Sequence, residues 1–126
     1  MLLWKYMKPL EDDTLIKEYE EFKNYKFSEL FIKYVKEFNN GRPNKELFDT
    51  DKTRGRVIKK LLSFRHEDKE NVWNCPSDIG IPFAMDHYGN YIAFEKDSEK
   101  VIFVDHETDQ IEFVANNFKE FILKLR

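Results

Sequence analysis

Ile81-Pro-Phe-Ala-Met-Asp-His-Tyr-Gly-Asn90, Tyr91-Ile-Ala-Phe-Glu95, Val101-Ile-Phe-Val-Asp-His-Glu107, Ile111-Glu-Phe-Val-Ala115 and Asn117-Phe-Lys-Glu-Phe-Ile-Leu-Lys-Leu125 follow one another with only short polar breaks. The first four are apolar-rich runs closed by polar turns, the pattern of successive strands in a meander. Gly89-Asn90 is a turn dipeptide between Phe83 and Tyr91, so its flanks read as a hairpin. Val101 to Val104 is continuously apolar, as in a central strand covered on both faces. Thr108-Asp109-Gln110 turns into a strand in which Ile111 and Phe113 alternate with Glu112. In the fifth run Asn117 is an N-cap with Glu120 three residues later, the spacing of a capping box. Phe118, Phe121, Ile122 and Leu125 share one helical face. Burying each would contribute roughly 1.5–3 kcal/mol, so this helix must lie against the sheet.

Upstream of the meander the periodicity is helical. Asp12-Asp13-Thr14 precede Leu15, Ile16, Tyr19 and Phe22, an N-cap followed by an amphipathic stripe. Ser28 opens a second segment with Leu30, Phe31, Tyr34, Val35 and Phe38 on one face. Asn39-Asn40-Gly41 ends it, with Gly41 expected in the left-handed conformation, and Pro43 prevents continuation. Glu46-Leu-Phe-Asp49 reads as a short strand and Asp51 to Gly55 as a turn. Arg56 to Phe64 suits a strand by length, while Ile58, Leu61 and Leu62 also fit a helix. The sum is an α+β fold: a single domain over residues 1–126, mostly antiparallel β-meander sheet, packed by N-terminal helices and a C-terminal helix.

Composition narrows the function. The 126 residues suffice for one core. No stretch approaches the roughly 18 apolar residues of a membrane span, so no membrane association is expected. The start is too soon interrupted by charge for a secretory signal, and the lone Cys75 fits a reducing compartment. A cytoplasmic location is expected. Arg42 to Arg65 holds eight Lys or Arg against three acidic residues, whereas His66 to Phe113 holds three against twelve. Such asymmetry can steer an oppositely charged partner, unless tertiary folding mixes the signs into an ordinary solvated surface.

Taken together, these motifs resemble the SUKH superfamily, the Smi/Knr type. The resemblance rests on the acidic opening helix from Asp13 to Phe22 and on Asn39-Asn40-Gly41-Arg42-Pro43 after an aromatic-rich helix. It rests further on Leu61-Leu-Ser-Phe64, on Ile81 to Ile92, on Val101 to Glu107 and on the final Phe118-x-x-Phe121 helix. Asn90 stands where an acidic residue is common, and Asn24 to Ser28 lacks the usual Leu-Pro. The resemblance implies a bacterial immunity protein that neutralises a cognate polymorphic or contact-dependent toxin by stoichiometric binding; many such toxins are nucleases or deaminases, and a nuclease type is expected here. Members elsewhere are adaptors or regulators, which is the alternative. It implies a protein toxin encoded beside the gene as partner, no enzymatic activity and no cofactor.

The residues themselves offer little chemistry. Asp86-His87 and Asp105-His106-Glu107 could be metal or acid–base groups with His66 joining them. However, neighbours on a strand point to opposite faces, and a catalytic zinc needs three convergent ligands. The competing reading is that they cap turns. No nucleophile elbow, P-loop, dinucleotide fingerprint or paired-Cys site is present, and Cys75 has no evident base. Arg54, Arg56, Lys59 and Lys60 could touch nucleic acid, but the chain is acidic overall, with net charge −3, and no direct nucleic-acid partner is expected. The candidate binding residues are therefore Asp86, His87, Tyr88, Asp105, Glu107 and Asp109, with Trp4, Tyr6 and Trp73 as further aromatic anchors. An acidic patch there would mimic the phosphates that a basic nuclease holds. Oligomeric state is not legible.

Overall fold

The meander forms as read. A computed structural model, which describes residues 1–76 and 78–126, runs β1 (Trp4–Lys5), α1 (Thr14–Lys23), α2 (Glu29–Phe38), β2 (Arg42–Pro43), β3 (Leu47–Phe48), β4 (Arg56–Val57), β5 (Lys60–Leu61), β6 (Ile81–Met85), β7 (Tyr91–Phe94), β8 (Val101–Val104), β9 (Ile111–Ala115) and α3 (Phe118–Lys124). Strands β5 to β9 make one antiparallel sheet in chain order, and β1–β2 and β3–β4 are small two-stranded pairs. This is an α+β domain. The ambiguous stretch after Gly55 resolves into strands because its partners are distant. Leu61 pairs with Ala84, the Leu62 N–H donates to the Phe83 carbonyl, and Ile58, Leu61 and Leu62 are all buried. A local apolar stripe cannot reveal that.

One face of the sheet carries the core. Phe83 and Phe94 stack with centroids 4.6 Å apart, and Phe118 meets Phe31 edge-on at 4.9 Å. These ring geometries add to the area that each Phe removes from water. The Ser28 hydroxyl accepts the Phe31 N–H at 3.2 Å and caps α2. The buried side of α2 is Phe31, Ile32 and Val35, so the expected stripe is corrected: Leu30 is exposed and Ile32 takes its place. Phe31 meets Phe83 and Phe94 of the sheet, and Ile32 lies on the α1 side, beside Asp13 and Lys17, a flank that the sequence stripe did not include.

The exit from α2 also differs in detail. Asn40, not Gly41, takes the left-handed conformation, with φ 68°. Gly41 is required for another reason: a Cβ there would lie 2.8 Å from the Phe38 carbonyl oxygen and 3.1 Å from the Trp4 ring. Asn39, read from sequence as a terminator, is fully buried and acts as a hub. Its Nδ2 donates to the Lys8 carbonyl and to the Ser63 hydroxyl, each at 3.0 Å, and its Oδ1 accepts the Phe64 N–H at 2.9 Å. Ser63 in turn donates to Asp68, which also bonds Lys8 Nζ, both at 2.6 Å. The N-terminal arm, α2 and the β5–β6 connection are thereby tied together by satisfied buried polar groups.

At the other end, Asn117 Oδ1 accepts the Glu120 N–H at 2.8 Å, the expected cap. Glu120 reaches back to the Asn116 N–H rather than to Asn117, so the capping box is displaced by one residue. Phe118, Phe121 and Leu125 are buried against the sheet and Ile122 is half-buried.

Candidate functional site at the turn end of the meander

Two turns lie side by side at one end of the sheet, because Tyr91, which follows the first, pairs with Val104, which precedes the second. In the β6–β7 turn, Asp86 Oδ1 accepts the N–H groups of Tyr88 at 2.8 Å and Asn90 at 2.9 Å, and Oδ2 accepts Asn90 Nδ2 at 2.8 Å. In the β8–β9 turn, Asp105 Oδ1 accepts the N–H groups of Glu107 at 2.8 Å and Thr108 at 3.2 Å. The Glu107 N–H holds the Asp105 carboxyl below the usual carboxylate range, with the Thr108 N–H adding to it. Both aspartates therefore do what short side chains do in turns.

Asn90 couples the two turns. Its Oδ1 accepts the His106 backbone N–H at 3.0 Å and the His106 ring Nδ1–H at 2.8 Å. Gly89 supplies the turn's φ of +85°, which favours glycine, and a Cβ there would meet the His106 ring only in ordinary contact at 3.5 Å. The result is one hydrogen-bonded unit rather than two separate loops. Around its rim His87, Tyr88, Glu107 and Asp109 are exposed, Tyr88 by 76 %, whereas Asp86 is only 4 % exposed and lies inside its own turn. Thus, of the six candidates, Asp86 builds the surface, Asp105 is half-buried and hydrogen-bonded, and the other four present side chains to solvent.

The aromatic anchors divide similarly. Trp4 is core, with its indole N–H donated to the Tyr34 hydroxyl at 2.7 Å. Trp73 donates to the Phe64 carbonyl at 2.9 Å and stacks on His66 at 4.3 Å, while Tyr6 is exposed. Among the described residues no group of three or more His, Cys, Asp or Glu side chains is placed to hold a metal ion. Burial pushes the Cys75 thiol up to about 11, away from nucleophilic reactivity at neutral pH.

In strand β9 the alternation of Ile111 and Phe113 with Glu112 leaves open which face is covered. A hydrophobic-inside reading of its alternation would bury Ile111 and Phe113. The structure inverts it. Glu112 pairs with Phe103 on the core side, and Ile111 and Phe113 face out. The Glu112 carboxylate accepts Arg56 Nε at 3.3 Å and Nη2 at 2.8 Å, and the Thr50 and Thr53 hydroxyls at 2.6 and 3.1 Å. The Arg56 guanidinium lies 4.2 Å over the Phe103 ring. Charge-assisted bonds of this quality offset the desolvation of the pair. The partners lie 56 to 62 residues upstream, so nothing near Glu112 in sequence announces them. Asn90 and the pair Ile111 and Phe113 are thus the surface-defining residues that sequence reasoning missed. Asn90 stood out in sequence only as a departure from the family signature, which does not point to its contact with His106, 16 residues on.

The sheet order and the coupled turns define an α+β domain of the meander type. The SUKH_6 family model, described as SMI1-KNR4 cell-wall, matches residues 13–122, most of the chain. The chain belongs to the SUKH family. A search of curated proteins returns no match. Among the described residues no helix is long and apolar enough to cross a membrane.

Proposed function

We propose that this chain is a bacterial, cytoplasmic immunity protein that neutralises a cognate toxin by stoichiometric binding, using the turn end of the meander. Family membership makes a protein partner the natural one, and the coupling of the two turns through Asn90 supports the choice of surface. A pre-organised surface binds without first losing loop entropy. Tyr88 supplies an aromatic anchor, and Glu107 and Asp109 supply negative charge of the sign that a basic nuclease holds in its substrate. A tight inhibitor covers roughly 800 Å² on its own side, so contacts would extend beyond the rim. No bond is made or broken by this protein in the proposed role.

The test is co-expression with the toxin encoded beside the gene. Survival of the host and co-purification as a one-to-one complex are expected. Absence of both rescue and complex overturns the reading. The family's cell-wall description supports a second reading, a non-enzymatic adaptor of the Smi/Knr type. A gene neighbourhood without a toxin would favour it.

A further inference from the structure

We propose that the outer face of β9, centred on Ile111 and Phe113, is the apolar centre of an interface for a protein partner that presents aliphatic or aromatic side chains flanked by Lys or Arg. The inference rests on the binding reading above and gives that partner its chemistry.

Register supplies the first argument. Phe113 pairs with Ile102 and Ile111 with Val104, so all four share the face opposite the aromatic core. Ala93, Ile102 and Val104 form a small buried cluster there, against which Ile79 packs. Ile111 and Phe113 continue this layer into solvent, 43 % and 36 % exposed. An apolar layer that continues unbroken from buried to exposed is a better docking surface than isolated surface side chains.

The second argument concerns the mode of contact. β9 is the edge strand, and edge strands commonly recruit partners through backbone pairing. Here that route is closed in the middle of the strand. The Asp51 N–H donates to the Phe113 carbonyl and Asp51 Oδ1 accepts the Phe113 N–H, both at 2.9 Å. A partner must therefore meet the side chains.

Charge supplies the third argument and commits the occupant. Glu107, whose side chain is 79 % exposed, and Asp109 stand at the Ile111 end of the stripe. The carboxylate that could have repelled apolar contact, Glu112, is withdrawn to the opposite face and paired with Arg56. The exposed Lys100, just ahead of β8, lies toward the Ala115 end. An acidic rim at one end of an apolar stripe selects and orients a partner that is apolar at its centre and basic at its edge.

The test uses the full chain, isotopically labelled, titrated with a synthetic peptide of alternating Leu and Lys and with its Leu–Glu counterpart. The Leu–Lys peptide is expected to shift the amide signals of Glu107, Asp109, Ile111 and Phe113 and the Val104 methyls, with affinity falling as salt rises. The Leu–Glu peptide is expected to leave them in place. Ile111→Ser with Phe113→Ser should weaken the Leu–Lys peptide about tenfold or more. The same spectra show whether the double variant keeps its fold. Should that variant unfold, Glu107→Gln with Asp109→Asn, both at exposed sites, should still weaken it several-fold. Shifts that map elsewhere, or unchanged affinity in the folded variants, overturn the proposal. Co-expression separates the two levels of inference. If the natural chain protects against its toxin and the Phe113→Ser chain protects equally, the β9 surface is wrong and the immunity reading stands. If the natural chain gives no protection while the Leu–Lys peptide still maps to β9, the immunity reading fails and the surface stands.

Discussion

Asn90 shows how one side chain can decide a local structure. It donates to Asp86 and accepts twice from His106, so it needs both a donor and an acceptor on one short side chain. An aspartate would keep the His106 bonds and lose the donation, placing two carboxylates where the Asp86–Asn90 contact is now 2.8 Å. We therefore expect Asn90→Asp to destabilise the protein by about 2 kcal/mol at neutral pH, a penalty that shrinks in acid as the pair comes to share a proton. Urea unfolding at several pH values measures it, and a variant as stable as the natural chain at pH 7 would remove the coupling role. The two Asp-His pairs were visible in the sequence, and so was their turn chemistry, because an aspartate bonding the backbone two residues on is a local event. That Asn90 joins the turns was hidden, because His106 is 16 residues away and reaches it through strand register.

Elements were legible where their signals were local and misread where the other side of the sheet mattered. The caps at Ser28 and Asn117 announce α2 and α3 because the bonded N–H lies three residues on in each case. The face of β9 was not legible, since alternation states that two faces differ but not which is covered. The inversion has a measurable consequence. Phe103→Ala should cost about 3–5 kcal/mol, whereas Phe113→Ser, on the exposed side of the next strand, should cost less than about 1 kcal/mol. Comparable losses in chemical denaturation would show that the inversion is wrong. The same strand has a guarded edge. Removing the side-chain half of the guard with Asp51→Ala should cost about 1 kcal/mol and speed hydrogen exchange at the Phe113 amide. Unchanged protection of that amide would mean that the loop does not cap the edge.

Charge is a property of the whole molecule, and here folding redistributes it. Part of the basic middle of the sequence is neutralised by acidic partners, while Arg42, Lys52 and Arg54 stay exposed. Arg56 pairs with Glu112 at 2.8 Å, Lys59 with Glu70 at 2.7 Å and Lys60 with Glu70 at 3.5 Å. Burial works against charge on Asp68, Glu70 and Glu112, but hydrogen bonds from Lys8 and Ser63, from Lys59 and Lys60, and from Arg56, Thr50 and Thr53 outweigh it. All three carboxyls are lowered from ordinary values of 3.8 for Asp68 and 4.5 for the two Glu. A carboxyl lowered in the folded state contributes its full stability above the unfolded value and loses it as pH falls through the folded one. The urea midpoint should therefore hold from neutral pH to about pH 5 and fall below it. Asp68→Asn should lower stability at pH 7 by roughly 1–3 kcal/mol and flatten the acid limb. A variant whose midpoint tracks the natural chain at every pH would show that the Lys8–Asp68–Ser63 chain contributes nothing. The far terminus is anchored on the same scale: Lys124 Nζ donates to the Val114 and Asp49 carbonyls, and the Arg126 N–H donates to the Leu47 carbonyl.

The amino-acid sequence by itself determined the α+β class, the strand order of the meander, the N-caps of α2 and α3 and the turns, because each depends on residues within a few positions of one another, whereas Asp13, expected to cap α1, makes no side-chain cap bond. Tertiary structure alone decided which face of β9 is covered, which charges remain at the surface, and that the two turns form one unit. Those outcomes depend on Arg56 reaching Glu112 and His106 reaching Asn90. Such contacts exist only once distant segments share a sheet, and no local pattern encodes the energy of a pair whose members have not yet met.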